Sequence, residues 1–274
     1  MRAGVVVTAH PGVEDLAVQA EELGLHSFWL NDTPMVHGDP FVALGLCAKA
    51  TSRIRLGIGV TSPALRSAPA AASAFASLNA LAPGRIICGI GTGNTARRTL
   101  GMRPTTAATM ENFTAALQNL CAGRTIEYRE GDRVRNVRFL HTGAHANTAD
   151  PIEFVVAALG PKAAADTAAD ARAFADQLGP GEREAVRRLL DRRGTTATAP
   201  DRHTKLYPNY LERIAPEDRD LILPSLMNTL ALVGTRHDLR ARITTLEQAG
   251  IDELLIQPVI DPPTEMAQLA KLLT

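Results

Sequence analysis

The sequence has few aromatic residues, no excess of charge of either sign and no long apolar run. Aromatics make up 4% of the 274 residues, which argues against base-stacking surfaces for nucleic acids. Lys and Arg total 29, as do Asp and Glu, so the formal net charge is +0 and there is no global attraction for nucleic acid or anionic membranes. No window reaches the ~18 apolar residues of a membrane helix. We expect a cytoplasmic protein without nucleic-acid or membrane partners.

Residues typical of metal, disulfide and hydrolase sites are also missing in the required spacing. The three cysteines, Cys47, Cys88 and Cys121, are far apart, and we expect small buried side chains in a reducing compartment. The histidines show no HxH or HExxH spacing, and His141 and His145 lie four apart in a loop-like stretch, so no metal site is expected. There is no GxSxG motif for a hydrolase nucleophile.

The first half of the chain alternates between strand and helix patterns. Short β-branched or apolar runs predict strands, and apolar residues three and four apart predict the helices between them. Predicted strands are Ala3–Thr8, Ser27–Asn31, Ile54–Thr61 and Ile86–Gly91; predicted helices are Val13–Leu23, Asp39–Thr51 (capped by Asp39 before Pro40), Ala68–Leu81 and Thr106–Leu120. This alternation is typical of a parallel sheet covered by helices.

The second half is less regular. Residues 125–140 predict an inserted β-hairpin around Glu130-Gly131-Asp132, and residues 194–224 form an irregular segment. The other predicted elements are strand Ile152–Leu159, helix Pro161–Ala175, helix Gly179–Arg193, a short strand Leu230–Val233, helix Leu239–Ala249, strand Glu253–Pro258 and helix Pro263–Leu273. The length suits one barrel domain spanning 1–274, although eight strands close such a barrel and this sequence falls short of that number.

Five segments in order resemble the luciferase-like superfamily of flavin monooxygenases and deazaflavin-dependent reductases. They read AEELGLHSFWLND, DPFVALGLCAKATSRIRLGIGVTSPALRSAP, LAPGRIICGIGTGN, VVAALGPKAA and LVGTRHDLRARITTLEQAGIDELLIQP. The resemblance covers most of residues 1–165 and 229–258 and breaks between Ala175 and His203. It implies an α/β fold of the TIM (β/α)8 type, incomplete or remodelled around strands 6 and 7.

The resemblance also implies where catalytic residues lie, because barrel chemistry takes place beyond the carboxyl ends of the strands. The candidates are His10 after the first strand, Asp32 after the second, and His203 in the irregular segment. His10 is equally compatible with a surface histidine, and Asp32 with a turn residue before Pro34. Family members often place His directly after the acidic residue, where this chain has Thr33.

Cofactor-binding residues are implied at three further strand ends. Gly59, Val60 and Thr61 match a bulge that supports the flavin ring and that contains a non-prolyl cis peptide bond in several relatives, although an ordinary glycine in a packed strand reads the same way. Gly91, Thr92, Gly93 and Asn94 open a glycine-rich loop whose backbone a ring or phosphate can approach. Ala158, Gly160, Pro161 and Lys162 lead into a helix N-terminus suited to an anion.

Substrate-binding candidates are His37, Arg66, Tyr207 and Asn209. His37 is a substitute for the missing family histidine, and Arg66 is suited to an anionic group. Tyr207 and Asn209 belong to residues 201–224, the one unassigned stretch long enough to cover the gap left by missing strands. We therefore expect this stretch to line the substrate end of the cleft.

The resemblance favours a monooxygenase that uses reduced FMN and oxygen on a small organic substrate. The alternatives are hydride transfer with the deazaflavin coenzyme F420, or a non-catalytic flavin-binding or partner subunit. A flavin reductase is the expected supplier of reduced cofactor, because no NAD fingerprint is visible. The alanine-rich helices Phe41–Ala50 and Ala68–Leu81 carry few charges, so a homodimer is expected.

Overall fold

Strands alternate with helices in the first part of the chain, up to the helix that follows the fourth strand. In a computed structural model of the chain, the described residues are 1–143, 145–157, 178–192, 216–230 and 232–273. Their strands are β1 (Arg2–Val7), β2 (Ser27–Leu30), β3 (Arg55–Thr61), β4 (Ile86–Ile90), β5 (Ile126–Glu130), β6 (Arg133–Val137), β7 (Glu153–Val156) and β8 (Glu253–Ile256).

The helices lie between and after these strands in the sequence. They are α1 (Val13–Glu22), α2 (Pro40–Ala50), α3 (Ala68–Leu81), α4 (Asn94–Arg98), α5 (Ala107–Cys121), α6 (Pro180–Arg192), α7 (Pro224–Leu230), α8 (Arg236–Gln248) and α9 (Pro262–Leu273), with a 3-10 helix at Pro216–Leu221. The Asp39 carboxylate accepts hydrogen bonds from the backbone N–H groups of Phe41 and Val42, which confirms the predicted start of α2. Thr106 caps α5 in the same way through Thr109 N–H.

One parallel sheet in the order β7-β4-β3-β2-β1-β8 organises the described residues. It curls into a half-barrel, which agrees with the expected incomplete TIM-type fold. β5 and β6 pair antiparallel as a separate hairpin, so the predicted insertion at 125–140 is confirmed. Much of the segment expected to be remodelled lies outside the described residues.

The two faces of the sheet differ sharply in composition. On the convex face, large side chains such as Phe28, Leu30, Leu56 and Ile58 are fully buried and pack with residues of the helices in one core. The three cysteines are buried and unpaired, as expected.

The concave face carries glycines, the indole of Trp29 and several polar side chains. Ser27 on β2 donates to Glu253 on β8, and Arg55 on β3 pairs with Glu153 on β7. These contacts join strands that are not adjacent in the sheet, since β1 separates β2 from β8 and β4 separates β3 from β7. Polar side chains therefore cross-link the concave face.

Several sequence predictions need correction. Leu230–Val233 is not a strand: α7 runs to Leu230, and Leu232 and Val233 have no regular structure. Pro224 suits the first turn of that helix, which extends into the short apolar run from which the strand was predicted. The fifth sheet strand extends only over Glu153–Val156 within the described residues, and the five-residue helix α4 was not predicted. The predicted helix Pro161–Ala175 lies outside the described residues.

Among the helices that the structure describes, none combines the length and the apolar character that a membrane crossing requires. The side chains of the described ranges also bring no three His, Cys, Asp or Glu residues together as a metal site.

Glu21 at the end of α1 fixes the turn that leads into β3. Its carboxylate accepts hydrogen bonds from the backbone N–H groups of Ser52, Arg53 and Ile54 and from the Ser52 hydroxyl. Burial raises the pKa of this carboxyl, but these hydrogen bonds outweigh burial and lower the pKa to about 2. The charged form of Glu21 is therefore part of the folded structure.

We expect Glu21→Gln to lower the free energy of unfolding at neutral pH by about 1–3 kcal/mol, because the amide replaces one acceptor oxygen by a donor. Since the folded-state pKa is depressed, the contribution of Glu21 is present above its ordinary pKa of 4.5 and is lost as pH falls toward 2. Urea denaturation between pH 7 and 2.5 should therefore show the variant and the native chain converging. Glu22→Gln, next to it and exposed, is the control. A constant difference across that pH range would contradict the assignment.

Candidate functional site

The residues that follow β2, β3 and β4 meet at one edge of the sheet. The strands are parallel, so their carboxyl ends and the loops after them lie on the same side. Asp32, Thr61 and Gly91 come directly after or at the ends of these strands. This edge is where the sequence placed most of the candidate site.

Asp32 is a buried carboxylate in the middle of this edge, with a side chain 3% exposed. Its Oδ2 accepts hydrogen bonds from the Thr61 hydroxyl at 2.7 Å and from Arg66 Nη1 at 2.9 Å. Burial raises the pKa of the Asp32 carboxyl, whereas the Thr61 hydroxyl and the Arg66 guanidinium lower it in part. Asp32 thus ties the loop after β2 to the loop after β3.

Arg66 is held on three sides. Besides Asp32, its guanidinium pairs with Asp39, the residue that caps α2, and lies 4.3 Å above the centre of the Phe41 ring. The sequence suggested that Arg66 meets an anionic group. The structure places two carboxylates of the chain itself at that guanidinium.

A cavity of about 290 Å³ opens beside this ion-paired cluster. Asp32, His37 and Arg66 line it together with apolar side chains, among them Pro34, Met35 and Leu65. Two of the predicted substrate residues and one predicted catalytic residue therefore share one cavity. Its size suits a small organic molecule.

The end of β3 departs from regular pairing. The register against β4 shifts between Ile58 and Thr61, so three steps on β3 face two on β4. The Gly59–Val60 peptide bond is cis, as in the family segment that this stretch resembles. Gly59 and Val60 are half-buried while Thr61 is fully buried, so their backbone forms an accessible surface at the mouth of the half-barrel.

The glycine-rich loop after β4 packs against this bulge. A Cβ atom built onto Gly91 would lie 2.7 Å from Val60 Cγ2, and one on Gly93 would lie 2.6 Å from the Ser62 hydroxyl oxygen. Gly93 has a φ of 73° and precedes α4, a conformation that favours glycine. Asn94 Oδ1 accepts a hydrogen bond from Arg98 Nε at 2.7 Å. Close packing on β3 therefore requires glycine at both positions of this loop.

The remaining predicted residues fall into two groups. His10 is exposed in the loop after β1, and its Nδ1 donates to the carbonyl of Pro11 at 2.9 Å. The others lie outside the described residues: Ala158, Gly160, Pro161, Lys162, His203, Tyr207 and Asn209. Their roles stay predictions.

Sequence reasoning missed three residues that shape the site. Asp39 was read only as a helix cap, and Phe41 only as part of an apolar helix. Trp29, the single tryptophan, lies on the concave face against Gly59, where a Cβ atom would come within 3.1 Å of the indole. A lone tryptophan in a strand that precedes the strand LGIGV was the available signal.

The surface at Gly59–Val60 suits a flat ring. Both residues are partly accessible on a strand whose other residues, apart from Arg55, are buried, and the Trp29 indole packs where a side chain of Gly59 would lie. The cavity at Asp32 lies at the same edge of the sheet as this surface, because both are formed at the carboxyl ends of β2 and β3. The residues present therefore fit a flavin or deazaflavin.

We expect Arg66→Met to destabilise the chain by about 1–3 kcal/mol, because it leaves Asp32 buried without its cation; partial exposure of Arg66 keeps the loss below that of a fully buried pair. The pKa of Asp32 should rise further, so the loss should shrink at acidic pH, where that carboxyl is protonated. Urea denaturation at two pH values measures both effects.

The double variant Arg66→Met with Asp32→Asn should recover part of the lost stability, because no buried charge is then left unpaired. Arg53→Met, whose side chain is 74% exposed, is the control and should change stability little. If Arg53→Met and Arg66→Met lowered the free energy of unfolding equally, the ion pair at Asp32 would not contribute to stability.

Comparison with known proteins relates the chain to deazaflavin enzymes. An F420-dependent glucose-6-phosphate dehydrogenase of Kineococcus radiotolerans is 49% identical over 98 residues, which are 32% of this chain and 29% of that protein. The chain spans less than half of the length of the curated relatives that it matches by sequence.

Solved structures share the fold at low sequence identity. The coenzyme F420 dependent tetrahydromethanopterin reductase from Methanopyrus kandleri has a TM-score of 0.62 at 16% identity, covering 98% of this chain and 97% of that one. The oxygenating constituent of 3,6-diketocamphane monooxygenase from Pseudomonas putida, in complex with FMN, has a TM-score of 0.61 at 14% identity, covering 100% and 96%. The sequence model described as luciferase-like monooxygenase matches residues 7–207, most of the chain, and the chain therefore belongs to the luciferase-like monooxygenase family.

Proposed function

We propose that the chain is an oxidoreductase that uses the deazaflavin coenzyme F420 to transfer a hydride to or from a small organic substrate. The observation that carries this proposal is the name shared by several curated relatives, which are F420-dependent dehydrogenases. The partly accessible Gly59–Val60 surface and a cavity of about 290 Å³ at the same edge of the sheet support it. The deazaflavin alternative is thus better supported than the FMN monooxygenase that the sequence put first.

Each element of the site has a separate task in this proposal. A bound deazaflavin would supply the carbon centre that accepts or gives the hydride. The Gly59–Val60 backbone and the loop Gly91–Asn94 would hold the ring, and Pro161 and Lys162 remain the proposed anion site. Substrate would occupy the cavity lined by His37 and Leu65, where two aligned reactants avoid the entropy cost of a chance encounter.

Proton transfer falls to a side chain that substrate can reach. Asp32 is nearly inaccessible, and its Oδ2 is already bonded to Thr61 and Arg66, so we assign it to holding the site together. Imidazole is the commonest carrier of protons in enzymes. The candidates are therefore His37, which lines the proposed substrate cavity, His10, which is exposed at the same edge of the sheet, and His203.

The competing function is oxygenation with reduced FMN. The fold is shared with an FMN-bound monooxygenase, and the family takes its name from this chemistry. A third outcome is a partner subunit that binds no cofactor productively. An oxygenase, or a deazaflavin enzyme that reduces its substrate, would need a separate reductase to supply reduced cofactor, whereas a dehydrogenase would itself reduce F420 with the hydride of its substrate.

Binding of the two cofactors separates these functions. We expect the purified chain to bind F420 at least roughly tenfold more tightly than FMN, as measured by equilibrium dialysis and absorbance. Addition of an oxidisable secondary alcohol or sugar substrate should then bleach the bound deazaflavin. Preferential binding of FMN would favour the monooxygenase, and binding of neither would favour the partner subunit.

We also propose a homodimer formed through α2 and α3. Val42 and Leu46 on α2 are 72% and 48% exposed, and Leu81 at the end of α3 is 46% exposed. Apolar groups so exposed on adjacent helices are typical of a covered surface.

Light scattering at micromolar concentration should give twice the chain mass, and Val42→Glu with Leu46→Glu should give a monomer. Leu140→Glu, at an exposed leucine on the hairpin side, is the control.

A further inference from the structure

Trp29 lies across the concave face of the sheet, over two neighbouring strands. Its side chain belongs to β2 and is 4% exposed. A Cβ atom built onto Gly57 would overlap Trp29 Cε3, one on Gly59 would lie 3.1 Å from the same atom, and one on Gly89 would lie 3.2 Å from Cζ3. The indole therefore rests directly on the backbone of β3 and reaches β4.

Hydrogen bonds fix the orientation of this indole from the opposite edge of the sheet. Trp29 Nε1–H donates to the Ser27 hydroxyl oxygen at 2.7 Å, and the Ser27 hydroxyl donates to the Glu253 carboxylate on β8. This chain of hydrogen bonds, from Trp29 through Ser27 to Glu253, crosses β1 at Gly4, where a Cβ atom would overlap Ser27 Oγ. The ring is thus anchored at its nitrogen, and glycines keep side chains out of its way along its length.

The part of β3 that the indole supports is the surface at Gly59–Val60. The Val60 side chain lies on the same side of the sheet, since its Cγ1 would meet a Cβ on Gly89 at 3.1 Å and its Cγ2 one on Gly91 at 2.7 Å. Gly59 and Val60 both face inward because of the register shift that precedes Thr61. The indole borders this pair on the concave side, in contact with the position that a Gly59 side chain would take.

We propose that Trp29 is a positioning residue that sets the height of the Gly59–Val60 surface and thereby the position of the cofactor ring. This inference rests on the proposed function, in that a flavin or deazaflavin binds at this surface. Its physical basis is the separation of 3.1 Å, at which an added methyl group must displace either the indole or the Gly59 backbone. A displaced floor would misplace the ring relative to substrate, and rates depend steeply on such alignment.

Coupling between the two residues tests the proposal. Gly59→Ala alone should weaken binding of F420, or of FMN if that is the cofactor the native chain prefers, by roughly tenfold. Trp29→Phe alone should weaken binding by only about threefold, because the smaller ring still covers the sheet. In the double variant the phenyl ring leaves room for the new methyl group, so the affinity should return to that of Trp29→Phe.

The readouts are the cofactor dissociation constant by dialysis and the emission of the single tryptophan, which overlaps flavin and deazaflavin absorption and should be quenched on binding. Circular dichroism confirms that each variant is folded. Gly181→Ala is the matched control, because a Cβ there meets only Leu223 at 4.0 Å and should change neither readout. If Gly59→Ala fails to fold, Ser27→Ala replaces it; loss of the Ser27 hydroxyl should shift the tryptophan emission and weaken binding at least roughly threefold.

The outcomes separate this inference from the proposed function. A native chain that binds neither cofactor overturns both. Normal binding by the native chain, with Gly59→Ala causing the same loss of affinity whether or not the Trp29→Phe substitution is present, overturns the role of Trp29 alone. Restored affinity in the double variant supports both, because a merely structural contact would restore stability without restoring cofactor affinity.

Discussion

Side chains are excluded from the concave face wherever the indole of Trp29 lies, and the rest of the site depends on that exclusion. Glycines on β3 and β4 let one aromatic ring cover two strands, and the ring in turn forms an apolar floor inside a half-barrel. A complete barrel fills its interior with layers of branched side chains from all strands. Here the indole of Trp29 fills part of that space, and hydrogen bonds through Ser27 anchor it to the distant strand β8.

Above this floor, charge rather than apolar packing connects the loops. Arg66 joins Asp32, two residues after β2, to Asp39, the cap of α2, and stacks on Phe41, the second residue of that helix. The cavity beside it is consequently bordered by two carboxylates and one guanidinium whose charges are already in contact. A buried carboxylate is tolerated at this position because a hydroxyl and a cation both donate to it.

Local patterns predicted the strands and helices of the first half, and the resemblance predicted the special backbone at Gly59–Val60. The cap at Asp39 and the hairpin turn at Glu130–Asp132 are encoded within a few residues, which is why both could be found. The contacts of Trp29 and Arg66 join residues about 30 positions apart, and no periodicity specifies which side chains meet across a sheet. The predicted strand Leu230–Val233 was wrong because a short apolar run by itself does not distinguish a strand from the end of a helix, here the helix that begins at Pro224.

The loop from Thr33 to Gly38 is a closed segment whose two ends meet at the same guanidinium. Asp32 before it and Asp39 after it both bind Arg66, and Gly38 N–H is bonded to the Ala9 carbonyl at 3.1 Å. Between these fixed points Met35 is 82% exposed with a φ of 67°. Doubling the length of such a loop adds only about 0.6 kcal/mol of closure entropy. The loop should therefore tolerate changes of length and sequence, both between homologues and in a randomised library. The strands and the start of α2 would keep their places.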